Sequence, residues 1–331
     1  MCLAGASAAQ VVSGDGGALS VVPRQTVAAF DALFDGPRDG QRAVHTKGLL
    51  LEARFVATSE AAGLSRAIHL SGSEVSALVR LSNFAGLPDL ADGAAAASPR
   101  GMSIKFLLPD GGSTDIVAHS YNGFPAATPE GFLGFLRALA APEPHVLAEF
   151  LAAHPAARRF VDTPKPAPES YATETFHGVN AFVFTNDKGK ARHVRYRIEP
   201  VAGSAHLSAE AAARRGPDYL TRELADRLRI ARVAFRLMAQ IAGPDDDVVD
   251  GSVAWPGDRR MVELGTLTLT GIADDQAAQG SLLFTPLNLV DGISPSRDPL
   301  LIARNRAYRI SYDRRTGRAI DEGSRHVRPT N

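Results

Sequence analysis

The sequence predicts an α+β architecture: an antiparallel β-barrel with flanking α-helices. Three observations lead there. Short runs rich in apolar and β-branched residues recur at close spacing, each closed by Gly, Pro, Asp or Asn. Helical periodicities interrupt these runs without the regular βα alternation that marks a parallel sheet. With 331 residues, 45% of them hydrophobic, the chain can bury a large core, and its length allows one large domain or two smaller ones.

The elements follow in order. Residues 1–22, dominated by Gly, Ala, Ser and Val, read as a flexible N-terminal arm, and residues 23–331 as a single domain. Pro23 to Phe34 carries apolar residues at helical spacing and stops at the turn cluster Asp35-Gly36-Pro37. Leu49 to Ala57, Val75 to Phe84, Gly101 to Leu108 and Thr114 to Ala118 read as strands. Pro129 to Leu139 and Val146 to Ala153 read as helices parted by Ala141-Pro142-Glu143-Pro144. The Pro-Lys-Pro-Ala-Pro of Pro164 to Pro168 is a crossing segment within the domain, because a strand resumes at Asn180 to Thr185. Asn186-Asp187-Lys188-Gly189-Lys190 is a hairpin turn, with its return strand at His193 to Ile198. Ala209 to Leu228 reads as one charged amphipathic helix. Val233 to Ile241 and Val262 to Thr270 are further strands, joined through Trp255-Pro256.

Composition removes several function classes. The formal net charge is zero, so no global basic field points to nucleic acid or an anionic membrane surface. Cys2 is the only cysteine, which excludes a disulfide framework, a thiolate zinc site, an iron–sulfur cluster and a dithiol redox pair. No apolar run approaches the roughly 18 residues that span a bilayer. The first ten residues are small and apolar but lack a basic n-region. A cytoplasmic location is expected, with the periplasm as the alternative if this stretch is the tail of a truncated export signal.

Chemistry is suggested first near the end of the chain, in Arg304-Asn305-Arg306-Ala307-Tyr308. On a helix, residues four apart share a face, which sets Arg304 against the Tyr308 ring. A phenol binds a metal as phenolate, free tyrosine ionises only near pH ~10, and a fixed cation one turn away favours the charged form. His45, in Arg42-Ala43-Val44-His45-Thr46-Lys47-Gly48, is either a satisfied polar residue on a strand or a general acid–base. O–O cleavage of a peroxide needs a group that takes a proton from one oxygen and returns it to the other, a task that suits histidine near neutral pH. The arginines of Val79-Arg80-Leu81-Ser82-Asn83 and Pro99-Arg100-Gly101 are either surface groups on strands or, if buried, sites for bound carboxylates.

These segments, taken together, resemble the haem catalase superfamily. Arg-x-x-His-x-Lys-Gly at 42–48, Val-Arg-x-Ser at 79–82, Pro-Arg-Gly-x-x-x-Lys-Phe at 99–106, Asp-Ile-Val at 115–117 and Arg-x-x-x-Tyr at 304–308 occur in the family's order. Trp255-Pro256, Glu263-x-Gly265-x-Leu267-x-Leu269, Phe284-x-Pro286 and Asp291-Gly292-Ile293-Ser294-Pro295-Ser296 also fit. The resemblance runs from about residue 25 to 315 and is to the short, catalase-related peroxidase branch. It implies a catalase-like barrel and haem b, iron protoporphyrin IX, as cofactor. It also implies His45 as the distal histidine, Ser82 as the serine that orients it, and Tyr308 as the axial iron ligand with Arg304 as its partner. Arg42 and Arg80 match arginines that hold propionates. Phe132 falls where a phenylalanine packs on the haem, and Val44 at the narrow part of the channel. The family places an asparagine shortly after Asp-Leu-Val. The directly matching position here is Ser120, preceded by His119, and Asn122 is the candidate if the loop shifts.

The function expected from this resemblance is a haem-dependent peroxidase with weak catalase activity. It would reduce hydrogen peroxide or an organic hydroperoxide with electrons from a small organic reductant. The alternatives are a fatty-acid hydroperoxide isomerase or lyase and a non-enzymatic haem carrier. No nucleic-acid partner is expected. The chain lacks the family's long arm and wrapping segment, which argues against an interlocked tetramer and leaves a homodimer in view.

Overall fold

Ten strands build one sheet in the computed structural model, which describes residues 18–318. They are β1 (Gly48–Ala57), β2 (Val75–Ser82), β3 (Gly101–Leu107), β4 (Ser113–His119), β5 (Phe176–His177), β6 (Phe182–Thr185), β7 (Ala191–Pro200), β8 (Val233–Ile241), β9 (Met261–Ile272) and β10 (Ile293–Pro295). Eight of them close into an antiparallel barrel in the order β1-β2-β3-β4-β5-β7-β8-β9, with β9 returning to β1. β6 and β10 extend the sheet beside β7. Closure pairs the backbone polar groups that an open edge would leave free.

Alternation along each strand separates the two faces of the barrel wall. Leu51, Ala53 and Phe55 of β1, Val79 and Leu81 of β2, Ile104 and Phe106 of β3, and Ile116 and Ala118 of β4 fill the interior with Phe235 and Leu267. The intervening residues of β2, β3 and β4 face outward, among them Arg80, Ser82, Gly101, Ser103, Val117 and His119. Their registers are set by the pairs Ser82↔Gly101 and Gly101↔His119.

The helices are α1 (Ala18–Leu33), α2 (Ser59–Leu64), α3 (Pro129–Ala140), α4 (Pro144–Ala153), α5 (Pro155–Asp162), α6 (Ala209–Ala213), α7 (Tyr219–Ile230) and α8 (Pro299–Arg315). α1, α3 and α8 pack together over the outer face of β2–β4. Phe30 of α1, Phe34 just past its end, and Leu133 and Leu136 of α3 form a second apolar cluster there. Capping fixes two of these starts. The Thr128 side chain accepts from Gly131 N, with Pro129 in the first turn, and the Asp298 carboxylate accepts from Leu300 N and Leu301 N, with Pro299 following. No helix among the described residues is long and apolar enough to cross a membrane.

The barrel and its helical layer are those the sequence predicts; α2, β5 and β10 are additional short elements, and the helices differ in three further ways. The helix expected over 209–228 is broken into α6 and α7 at Gly216-Pro217-Asp218, because proline removes a donor and forces the preceding residue out of the helical region. α1 begins at Ala18, inside the segment expected to be an arm; residues 1–17 lie outside the described residues. α5 was not expected; it restarts the chain after α4 with Pro155 in its first turn.

Candidate functional site

The principal cavity lies outside the barrel, between the outward face of β2–β4 and the helices α1, α3 and α8. It holds about 1540 Å³ of atom-free space, its open mouth included. Phe30, Phe84, Phe124, Phe132 and Leu136 make most of the wall apolar, and Val44 stands at its edge.

His45 enters from the segment before β1 with φ of 56°, a left-handed conformation uncommon for any residue but glycine. Such backbone costs about 1–3 kcal/mol and persists only where its surroundings over-determine it. Here they do. His45 N donates to Phe84 O at 2.8 Å, Arg80 Nη2 donates to His45 O at 2.8 Å, and the Thr46 hydroxyl donates to Arg42 O at 2.8 Å. The ring crosses Phe84 edge-on, and its Nδ1 lies 3.0 Å from Ser82 Oγ, which leaves Nε2 for the cavity. Gly101 makes room for this pair. A Cβ there would stand 2.7 Å from Ser82 Oγ and 2.8 Å from His45 Nδ1. Burial, then the cations Arg80, Arg304 and Arg42, push the His45 pKa down to about 3, so the ring is neutral at neutral pH.

Tyr308 enters the cavity from α8. Arg304 Nη2 donates to Tyr308 Oη at 2.9 Å, as the four-residue spacing predicts, and Arg304 Nη1 donates to Asn180 Oδ1. Asn180 Nδ2 in turn donates to Asp298 at 2.6 Å, the residue that caps the same helix. The cap that starts α8 is therefore joined, through two side chains, to the phenol oxygen nearly three turns later.

Three guanidinium groups gather at one end. Arg80 is buried, and Arg42 and Arg315 are half-buried. Their hydrogen bonds go to uncharged oxygens: Arg42 to Gln279 O and Leu282 O, Arg80 to Gln279 Oε1 and two carbonyls, Arg315 to Gly280 O and Leu282 O. Burial, then Arg80 and Arg315, press the Arg42 pKa far down. A guanidinium does not give up its proton in a protein, so this crowding is a demand for anions.

Most residues singled out in the sequence meet in this cavity: Arg42, Val44, His45, Arg80, Ser82, Phe132, Arg304 and Tyr308 all line it. Asn122 does not. It is exposed on the loop after β4, and Ser120 is turned away to accept from Arg100 N at 2.9 Å. The residue of this segment that faces the cavity is His119. Arg100 is also placed differently from expectation: it is fully buried and binds Asn83 and the carbonyls of Ala97 and Asp92, so it anchors a structural network. Asp115 likewise holds structure, pairing with Lys105 at 2.6 Å and accepting from Thr285 N, which pins Phe284 at the cavity edge. The sequence reading missed His119, Arg315 and Asn180. Arg315 was the one accessible to pattern, seven residues past Tyr308 and hence on its face of the helix.

Comparison with known proteins agrees with this geometry. A model of the family described as Catalase matches residues 11–322. The chain belongs to the catalase family. It is 42% identical over 304 residues to a catalase-related peroxidase of Mycolicibacterium paratuberculosis, covering 89% of this chain and 96% of that one. It is 32% identical to a catalase-related peroxidase of Synechococcus elongatus, with 90% of each chain covered. Among solved structures, a fungal catalase superposes with a TM-score of 0.77 at 22% identity, over 85% of this chain and 60% of that one. Catalase A of Saccharomyces cerevisiae gives 0.75 at 21%, over 83% and 61%. These two establish the shared fold.

As a catalase-family chain the protein is haem-binding, and its residues fit that group. The cavity offers an apolar, aromatic wall for a porphyrin, a phenol oxygen held by a cation that would ligate iron, and three guanidiniums with no carboxylate partner among the described residues, which would hold propionates.

Proposed function

We propose that the protein is a haem b peroxidase that reduces hydrogen peroxide or an organic hydroperoxide with electrons from a small organic donor, catalase turnover being minor. The observation that carries this reading is the neutral, Ser82-bound His45 sharing one cavity with the Arg304-bound Tyr308.

The bound haem supplies the redox chemistry, which belongs to the cofactor. Tyr308 would ligate the iron, and the Arg304 donor on its oxygen favours the phenolate. Arg42, Arg80 and Arg315 would hold the propionates, while Phe132 and Val44 bound the space beside them. His45 would take a proton at Nε2 from one peroxide oxygen and return it to the other, which leaves as water from hydrogen peroxide or as the alcohol from an organic hydroperoxide. Ser82 at Nδ1 fixes the ring for both transfers. Carboxylates seated on Arg80 and Arg42 would also cancel two of the causes that depress His45, raising its pKa toward the range where proton transfer works best.

His45→Ala tests this assignment. Haem should still bind, and peroxide turnover should fall by about 10²–10⁴-fold. Retained turnover in the haem-loaded variant removes His45 from the mechanism.

A further inference from the structure

We infer that Asp92 is a positioning residue for the distal site: its buried carboxylate, on the connection between β2 and β3, sets the separation of His45 and Ser82 through their neighbours in the chain. The effect on rate rests on the peroxidase reading above, and the effect on the His45 ring does not.

Three chain segments meet at that ring: the residues before β1, the end of β2 and the start of β3. Ser82 and Gly101 are ladder partners, so strand pairing holds them. His45 lies outside the ladder, which starts at Gly48. Its segment is tied instead to the chain just past β2. His45 N donates to Phe84 O at 2.8 Å, Thr46 N to Ala85 O at 3.2 Å, and Asn83 N to Lys47 O at 3.0 Å. Where His45 stands relative to Ser82 therefore depends on how residues 83–85 leave the strand. Beyond a bond from Phe84 N to Ala97 O at 2.9 Å, side chains fix that path.

Asp92 is 1% exposed and is where those side chains converge. Its Oδ1 accepts from Asn83 Nδ2 at 2.8 Å and pairs with Lys47 Nζ at 2.9 Å. Its Oδ2 accepts from Leu220 N at 2.9 Å, and its carbonyl accepts from Arg100 Nη2. Arg100 Nη1 closes the ring on Asn83 Oδ1 at 2.6 Å, and Lys47 Nζ also meets Asp218 at 2.8 Å. Asn83 adjoins Ser82, Arg100 adjoins Gly101, and Lys47 is two residues from His45. One residue thus gathers a neighbour of each site segment and fastens all three to the first turn of α7. Lys47, Asn83, Asp92 and Arg100 sit outside the cavity lining, so they act on the site from behind its wall. Every partner of the carboxylate is a donor. Removing it strands a buried side-chain amide and a buried backbone N–H, and Asn83 has to turn to find another acceptor.

Two measurements test this. In the full-length protein without haem, the long-range proton–nitrogen-15 NMR spectrum of the rings reports the His45–Ser82 contact, because a hydrogen bond at Nδ1 fixes one tautomer. Asp92→Ala should bring the two His45 nitrogen shifts together as the ring exchanges between tautomers. Unchanged His45 shifts in a folded Asp92→Ala overturn the proposal. In the haem-loaded protein, stopped-flow reaction with hydrogen peroxide should slow by about 10–10²-fold in Asp92→Ala at unchanged haem content. In a Ser82→Ala background the same substitution should cost about twofold or less, since no contact is left for it to set. An equal cost in both backgrounds makes Asp92 merely structural and overturns the proposal, leaving the peroxidase reading intact. If Asp92→Ala does not fold, Lys47→Met, which keeps the stem and removes the ammonium, is read in the same two ways. If wild type takes up no haem, the peroxidase reading fails, and the ring spectrum still decides the role of Asp92.

Discussion

Adding one methyl group at Gly101 should disable the site without substituting any proposed catalytic residue. In Gly101→Ala the new Cβ would lie 2.7 Å from Ser82 Oγ and 2.8 Å from both Cε1 and Nδ1 of His45. Such distances are not tolerated, so something has to move. The backbone at His45 cannot follow, because its left-handed conformation is held by Phe84 O on one side and Arg80 Nη2 on the other. The imidazole must swing away, and its 3.0 Å contact with Ser82 is lost. Overpacking of this kind costs about 1–3 kcal/mol of stability. A displacement near 1 Å at a proton-transferring group can cost about 10²-fold in rate. Stopped-flow reaction of the haem-loaded variant with hydrogen peroxide, beside a thermal melt, reads both numbers. Wild-type reaction rates in a folded, haem-replete Gly101→Ala would refute the packing of His45 and Ser82 over this glycine.

Other outcomes follow from the same geometry. Tyr308→Phe should lose haem occupancy or alter the ferric absorption spectrum, and a titration with unchanged affinity and spectrum would remove Tyr308 as the ligand. Arg315→Met, which deletes one of three clustered cations, should speed haem transfer to an acceptor protein by about tenfold or more; an unchanged transfer rate would mean the cluster does not serve the propionates. The haem-free protein should weaken in mild acid. His69 stacks on Phe106 at 4.8 Å, and burial lowers its pKa to about 4. The unfolded chain therefore takes up its proton first, and stability is whole above about pH 6.5 and falls as pH drops toward 4. At pH 5 the loss from this group is about 2 kcal/mol, and a melting temperature that stays flat from pH 7 to pH 5 would contradict it.

The barrel was legible because each wall strand alternates between a filled interior and a mixed outer face, and Gly, Pro and Asp cut the strands cleanly. α8 was legible from the four-residue spacing of Arg304 and Tyr308, which the hydrogen bond between them reproduces. The long helix over 209–228 was overextended because helical periodicity survives a single Gly-Pro step in sequence but not in backbone geometry. In the segment after β4, the residue lining the cavity differs from those the sequence favoured, for another reason. Counting positions after Asp115-Ile116-Val117 favoured Ser120 or Asn122, whereas strand alternation sends Ile116 and Ala118 inward and Val117 and His119 outward. Period-two reasoning extended one residue further would have reached His119. Asn180 carried no local signal at all, since its partner Arg304 is more than a hundred positions away and only the closed barrel brings them together.

The cavity's walls come from opposite ends of the chain: Val27 and Phe30 on the first described helix, Tyr308 and Arg315 on the last. Between them the ribosome must make the entire barrel, which at about 5–20 residues per second takes tens of seconds. Once α3 is made, the outer face of β2–β4 has α1 and α3 beside it but not α8, and the nascent chain still lacks Tyr308, the proposed iron ligand, and Arg315. If Tyr308 and Arg315 hold the haem as proposed, its capture is a late event in biosynthesis, coupled to docking of α8. A nascent protein stalled before residue 308 should leave the ribosome pigment-free even where haem is abundant.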